Sequence, residues 1–387
     1  AFLDLQHALD LLPKLKIVDR ATEPRPVPVD VDMVLDLGNS RTCGLLIEAE
    51  PDQLGTDITK AVKLQLRDLT RPERVYNDPF ESWLEFSRAS FGRDHLSLRS
   101  GRPDAFGWPT VVRVGPEAVH LASQRRGSEG ATGLSSPKRY LWDDDPREES
   151  WRFNAETEHG EQAPIATGVA FTTLVNDFGD AVHRIDPNRP GSDMLLLPSI
   201  RALYARRNLM SFVLAEIFLQ ALCMMNSPAH RLRRRSADLP RRLRRIIMTM
   251  PTAMPLAERQ ILQQQADAAR DLAFLSLGLA DTDYGDDGRP VMVLRDDVRL
   301  PDVILKWDEA SATQAVYLYG QVALQYSGDA RAFFDVMRLP LNQQDPAART
   351  GLRIATLDIG GGTTDLVVTS YRAEGQGANV TLFPRQD

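Results

Sequence analysis

Asp358 opens the run DIGGGTTD, in which an acidic residue is followed by three glycines, two threonines and a second acid, Asp365. These residue types divide into two jobs. Gly360, Gly361 and Gly362 carry no Cβ and reach positive φ at little cost, so a tight turn built from them aims backbone N–H groups into one concavity that suits a phosphate. Thr363 and Thr364 add hydroxyls beside it. Asp358 repels a phosphate directly, but it suits magnesium held through water, because that ion gives up its waters reluctantly. The bland reading of the same residues is a glycine-rich hairpin with a polar tip. Either way, the flanking stretches 354–357 and 366–368 are apolar and β-branched, and they read as the two strands that position the turn.

The pattern occurs twice. Residues 31–48 read VDMVLDLGNSRTCGLLIE, with Asp36 in the place of Asp358 and Gly38 in the place of Gly360. Asn39 and Ser40 can bond phosphate oxygens with side chain and backbone. Arg41 either adds a phosphate contact or points to solvent. Two such hairpins, one early and one late, can face each other across a cleft and grip the same nucleotide phosphates. The pair resembles the phosphate-1 and phosphate-2 loops of the actin, Hsp70 chaperone and sugar kinase superfamily. DIGGGTTDL is the form seen in the Hsp70 and bacterial actin branches. Asn39 and Arg41 depart from the chaperone pattern, which has hydroxyl residues at positions 39 and 40.

The resemblance implies an α/β protein of the actin-like/Hsp70 ATPase fold, made of ribonuclease H-like lobes. It implies ATP and Mg2+ as cofactors, with Asp36 and Asp358 orienting the metal's water shell and Asp365 supporting the loop or that shell. It extends to three more places. In GLSSPKRYLWDD, Lys138 matches the lysine that reaches the γ-phosphate and the attacking water. The alternative is an ordinary surface lysine, although the chain has only six lysines against forty arginines. Met250-Pro251-Thr252 and the later Glu258-Arg259-Gln260 match a strand-turn-helix run of the chaperones. Glu309 matches the glutamate that opens the helix crossing between the lobes, with Ala310 where a proline is usual. A glutamate at a helix start is also favoured by the helix dipole alone. The implied activity is magnesium-dependent ATP hydrolysis with catalytic roles for Asp36, Lys138, Glu309 and Asp358. No covalent step is needed, so positioning and electrostatics carry it, and loss of the γ-phosphate opens the lobes. The alternative is an ATP-gated binding or filament-forming module with little or no hydrolysis. The string DLGNSRTCGLLIE also resembles bacterial SrfB-type virulence-factor proteins.

The rest of the chain must position these residues. Residues 1–30 read as an arm, with an amphipathic helix over 1–16 and a proline-rich lead through Pro24, Pro26 and Pro28. Residues 31–350 read as lobe I with insertions. Residues 351–387 read as the start of lobe II, so the chain is expected to be an N-terminal or proteolytic piece of a longer protein that binds nucleotide poorly alone. A strand is expected over 62–66, another over 83–91, and strand-turn-helix over 111–124. The polar run 143–162 reads as a solvated insertion. A buried helix is expected over about 200–225, its apolar run too short to cross a membrane. Residues 246–273 read strand, turn, helix; residues 281–288 read as an acidic turn; residues 303–319 read strand, then helix.

Composition allows this plan. A chain of 387 residues suits two or three subdomains, and 43% hydrophobic content is ample for a core. A net charge of −7 argues against a protein that coats nucleic acid. Cys43 and Cys223 form no disulfide framework, which points to a reducing compartment, and no signal peptide is expected; with the SrfB-type resemblance, this implies a bacterial cytoplasm. Cys43 is expected to be buried. ATP or ADP is the expected ligand beside unknown protein partners. The eight arginines of 231–245, from Arg231 to Arg245, read as a solvent-facing connection or as a site for an acidic partner. No Walker A, HExxH or GxSxG motif is present, so P-loop, zincin and serine-hydrolase readings find no support.

Overall fold

The computed structural model describes residues 27–49, 60–91, 106–125, 131–155, 162–186, 192–234, 236–285, 288–338, 351–359, 364–374 and 381–386. The expected helix over 1–16, Pro24, Pro26, Gly360, Gly361, Gly362 and Thr363 lie outside them. In chain order the strands used below are β1 (Val29–Leu37), β2 (Arg41–Glu48), β3 (Val62–Lys63), β4 (Phe80–Glu81), β5 (Trp83–Phe86), β6 (Val112–Val114), β7 (Gly133–Ser135), β8 (Arg241–Met250), β9 (Asp302–Asp308), β10 (Gly351–Ile359), β11 (Thr364–Glu374) and β12 (Thr381–Gln386). The helices used below are α1 (Gly115–Gln124), α2 (Leu209–Asn226), α3 (Leu256–Ser276), α4 (Glu309–Tyr319) and α5 (Ala330–Met337).

The main sheet has the order β9-β8-β1-β2-β3, with β4 paired to the start of β2. Strand β1 runs antiparallel to β2 and parallel to β8, and β8 runs parallel to β9. Alternation explains β1: Val31, Met33, Leu35 and Leu37 point into the core. The register of β1 on β8 slips at Val31/Asp32, so Asp32 faces Arg245 and one residue of β8 is left over. That bulge brings two consecutive arginines onto one buried carboxylate. Arg244 donates to Asp32 at 3.0 and 2.7 Å, and Arg245 donates to both of its oxygens.

Helix α2 is the centre of the core. It packs along α3 and against β6 and β8, and it is buried on nearly every side. With the turn before it, the stretch Arg206–Asn226 is 21 residues long, apolar enough by length and composition to cross a membrane, and 94% of its apolar window is buried. The expectation that the run is too short therefore fails; burial is what marks it as a core helix. Glu216 and Gln220, which interrupt its apolar run, find partners inside. Glu216 accepts hydrogen bonds from Trp108 Nε1 (2.7 Å), Arg113 Nη1 (3.2 Å), Gln220 Nε2 (3.0 Å) and the Thr110 hydroxyl. A buried ion pair holds only when its remaining polar atoms are satisfied in this way.

Several expectations need correction. Helix α2 begins at Leu209, not near residue 200, because Asp177 holds the preceding segment in a loop by accepting from the Ile200 and Arg201 amides (2.8 and 2.6 Å). The polar run 143–162 is not wholly solvated. Its two aromatics, Trp151 and Phe153, are core residues; Trp151 lies tilted against Phe86 with ring centroids 5.4 Å apart and donates to Tyr204 O. The strand expected over 62–66 breaks at Leu64 into β3 and a short piece, Leu66–Arg67. The strand expected over 83–91 stops at Phe86 and resumes only at Ser90–Phe91. Residues 280–284 form a strand paired with Pro290–Leu294, so the expected turn narrows to the end of the acidic stretch, where the Gly288 amide donates to Gly285 O at 2.8 Å. Cys43 is exposed, since it lies on the outward face of β2, opposite in phase to Thr42 and Leu46.

The last three strands form a separate antiparallel sheet, β10-β11-β12. A small cluster of Leu318, Phe333, Phe334, Leu352 and Tyr371 fixes it to α4 and α5.

Candidate functional site

Strands β1, β8 and β9 are parallel, and their carboxyl ends lie side by side. In open α/β sheets this is where ligands bind. The ends carry Asp36, Thr249 and Asp308. Thr249 Oγ1 donates to Asp36 Oδ1 at 2.6 Å. Asp308 caps α4, accepting from the Ser311 amide at 2.8 Å and from Thr252 Oγ1 at 3.0 Å. Burial pushes the Asp308 carboxyl up, but the Ser311 and Thr252 bonds outweigh it and hold the group below the usual aspartate range. The Met250-Pro251-Thr252 turn is thereby tied to the start of α4. Arg259 of α3 clasps the same turn, donating to Met254 O at 3.0 Å.

The tip of the first hairpin is tight. The Gly38 amide donates to Arg41 O at 3.0 Å, and a Cβ on Gly38 would stand 2.6 Å from that carbonyl oxygen. Ser82 braces the tip from below. Its hydroxyl donates to Gly38 O (2.7 Å), so the 2.9 Å bond with Thr42 has Thr42 as donor. Its amide donates to Ser40 O (3.0 Å), and its carbonyl accepts the Ser136 amide (2.7 Å). Asn39 is partly covered; Ser40 and Arg41 are exposed.

The Ser136 link leads to Lys138. Ser136 takes the left-handed conformation (φ 52°) and Pro137 starts a short 3-10 turn, Pro137–Tyr140. The turn directs Lys138 inward, where it is 5% exposed. The surface-lysine reading of Lys138 therefore fails. Its Nζ donates to Leu37 O and to Glu309 Oε1, each at 2.8 Å. Glu309 is pushed above the usual glutamate range by burial; Lys138 pulls it down, and the negative charges of Asp36 and Asp358 push it further up. Four residues from four distant parts of the chain, Asp36, Lys138, Glu309 and Asp358, thus share one electrostatic neighbourhood.

On the second hairpin, Asp358 and Asp365 are directly opposite across β10 and β11. Like charges facing each other across a strand pair are unfavourable unless something offsets them. Thr364 pairs with Ile359 and is exposed. Among the described residues no group of three His, Cys, Asp or Glu side chains stands ready to hold a metal ion unaided.

Three site residues were not singled out from sequence: Ser82, Thr249 and Asp308 as a cap. Thr249 and Asp308 had a signal, since each stands at the end of an apolar strand next to a motif residue. Ser82 had none, because its role comes from a contact 40 or more residues away. Half of the arginine cluster also resolves. Arg241 bonds Glu48 (3.0 Å), Arg242 bonds Asp30 (2.8 and 2.6 Å), and Arg244 and Arg245 share Asp32, so the acidic partners of these four lie within the chain.

The family model for Virulence factor SrfB matches the chain over residues 1–387, and the chain belongs to that family. No curated protein matches it.

Proposed function

We propose that this chain carries the ATP site of an Hsp70/actin-like ATPase, with the nucleotide's phosphates held between the two aspartate hairpins. The observation that carries this reading is the convergence of Asp36, Lys138, Glu309 and Asp358 at the carboxyl ends of β1, β8 and β9. The strand order supports it as well: an antiparallel β1–β2–β3 run extended by parallel β8 and β9 is the plan expected of one such lobe.

The residues fit a hydrated magnesium ion. Lys138 bonds Glu309, the charges of Asp36 and Asp358 reach Glu309, and Asp365 stands opposite Asp358, so acidic charge outweighs basic charge here and favours a cation. No ready-made cage of three acidic or imidazole ligands lies among the described residues, which suits an ion that keeps its waters. When bound, magnesium supplies charge neutralisation at the phosphate oxygens. The chain's own residues do the remaining work. Backbone N–H groups and side chains at the tips, Asn39, Ser40 and Arg41 on the first and Gly360, Gly361, Gly362, Thr363 and Thr364 on the second, hold phosphate oxygens. Gly38 keeps the first tip tight. Asp36, oriented by Thr249, and Asp358, with Asp365 beside it, hold the water shell. Lys138 Nζ offsets charge at the transferred group, and the Glu309 carboxylate, with its raised pKa, accepts a proton from the attacking water. Closure of the second hairpin onto the first follows nucleotide binding.

One observation favours the alternative, an ATP-gated module with little turnover: Lys138 is already engaged by Leu37 O and Glu309. Magnesium-dependent ATP hydrolysis by the full-length protein, beside Lys138→Ala and Asp358→Ala, separates the two. Turnover that both variants reduce by about 100-fold or more supports an ATPase. Tight MgATP binding without turnover supports the gated module. Absence of binding removes both.

A further inference from the structure

We propose that Gln314 and Tyr371 form the contact through which the state of the Lys138–Glu309 pair reaches the second hairpin; this rests on the ATP-site reading above. Gln314 lies on α4, five residues after Glu309, or about 7.5 Å along the helix axis. It is 1% exposed, and its Oε1 accepts the Tyr371 hydroxyl at 2.7 Å. Tyr371 lies on β11, on the same face as Asp365, Val367 and Thr369, since strand side chains alternate. Helix α4 therefore meets the β10–β11 hairpin at two levels. At one end Glu309 feels the charge of Asp358 on β10, and Asp365 of β11 stands opposite Asp358. Further along is the Gln314–Tyr371 bond.

The second level is a polar contact with spare capacity. Gln314 Nε2 is buried and has no partner. Thr369, 2% exposed, sits beside the Tyr371 phenol, yet its Oγ1 makes no well-formed hydrogen bond. A buried polar atom left unsatisfied is costly, so this contact is not at a deep minimum. A cavity of about 510 Å³ lies alongside, walled by Gln314, Tyr317, Phe333, Met337 and Leu352, and it gives the amide room to turn without overpacking. A shift of α4 that follows loss or exchange of the Lys138–Glu309 bond can thus be taken up by repartnering Gln314, and the seat of β11 moves with it. An apolar contact at this level would have no second arrangement to adopt. Gln314 and Tyr371 act as positioning residues, remote from the phosphates.

The test is amide hydrogen exchange over residues 366–371 of the full-length protein, first without nucleotide. Four forms are compared: wild type, Lys138→Met, Tyr371→Phe and the double variant, with Glu309→Gln as a second way to break the pair. Lys138→Met or Glu309→Gln is expected to change exchange rates there by about fivefold in wild type, and the change is expected to shrink towards unity when the Tyr371 hydroxyl is absent. A response of equal size in both backgrounds, or no response in wild type, overturns the proposal. The same measurement with MgATP added tests the ATP-site reading separately. If the wild-type protein neither binds MgATP nor alters its exchange, that reading fails, while the ligand-free comparison still decides whether Gln314–Tyr371 couples the two elements.

Discussion

The two hairpins share a local pattern and differ in almost everything around it. In the first, β1 lies between β2 and β8 in the middle of the main sheet, and Val31, Met33, Leu35 and Leu37 are all buried. In the second, β10 pairs with β11, and among the described residues only one face of the pair is covered. Leu357, Ile359 and Leu366 on the other face are 60%, 73% and 66% exposed. The first hairpin is also fastened to β8 by Asp30, Asp32 and Glu48 through Arg242, Arg244, Arg245 and Arg241. An Asp-apolar-Gly turn between apolar strands specifies a hairpin and its register. It does not specify what packs on either face, because that depends on elements hundreds of residues away.

The largest test of this contrast is core truncation. Met33→Ala is expected to cost about 2–5 kcal/mol, because it leaves a cavity in a packed sheet. Leu357→Ala is expected to stay within about 0.5 kcal/mol. Urea unfolding of the two variants measures both, and comparable losses would abolish the distinction.

Acid offers the next test. Burial raises the Glu48 carboxyl, but the His230 and Arg241 bonds outweigh it and bring the group from 4.5 to about 2. A lowered folded-state value means the contribution is fully present above the unfolded value and is lost as pH falls through the folded one. The window is therefore pH 4.5 down to about 2. Asp32, lowered by Arg245 and Arg244 against the effect of burial, acts in the same sense. Glu48→Gln should flatten the acid limb of the stability profile in that window. An unchanged limb would show that the arginine fastening contributes little.

The smallest expected effect is on the pH–rate profile. Glu309 works as an acceptor only when ionised, and burial holds its pKa above the usual glutamate range. The acid limb of kcat should therefore lie above that range. Lys138→Met should move it higher still in whatever activity remains, since Lys138 pulls the pKa down.

Much of the site was legible because its chemistry lies in short strings. Asp36 with Gly38, Lys138 after Pro137, and the Asp308-Glu309 helix start each carry a local signature, and the fold brings Asp36, Lys138 and Glu309 into one neighbourhood. What was not legible came from tertiary contact. Trp151 and Phe153 sit in a run of charges, yet their rings reach the core. Residues 200–205 look helical, yet Asp177 holds Ile200 and Arg201 in a loop. Ser82 looks like any loop serine, yet it joins the first hairpin to the lysine turn. The arginines of β8 look like a charged surface, yet their partners are in β1 and β2.

The central claim is that the two aspartate hairpins build one site. Titration of MgATP into the full-length protein and its Asp36→Asn and Asp358→Asn variants tests it directly. One shared site predicts that each substitution weakens MgATP binding by about tenfold or more, and by similar factors. Asp358→Asn binding MgATP as tightly as the wild type, with Asp36→Asn impaired, would contradict it.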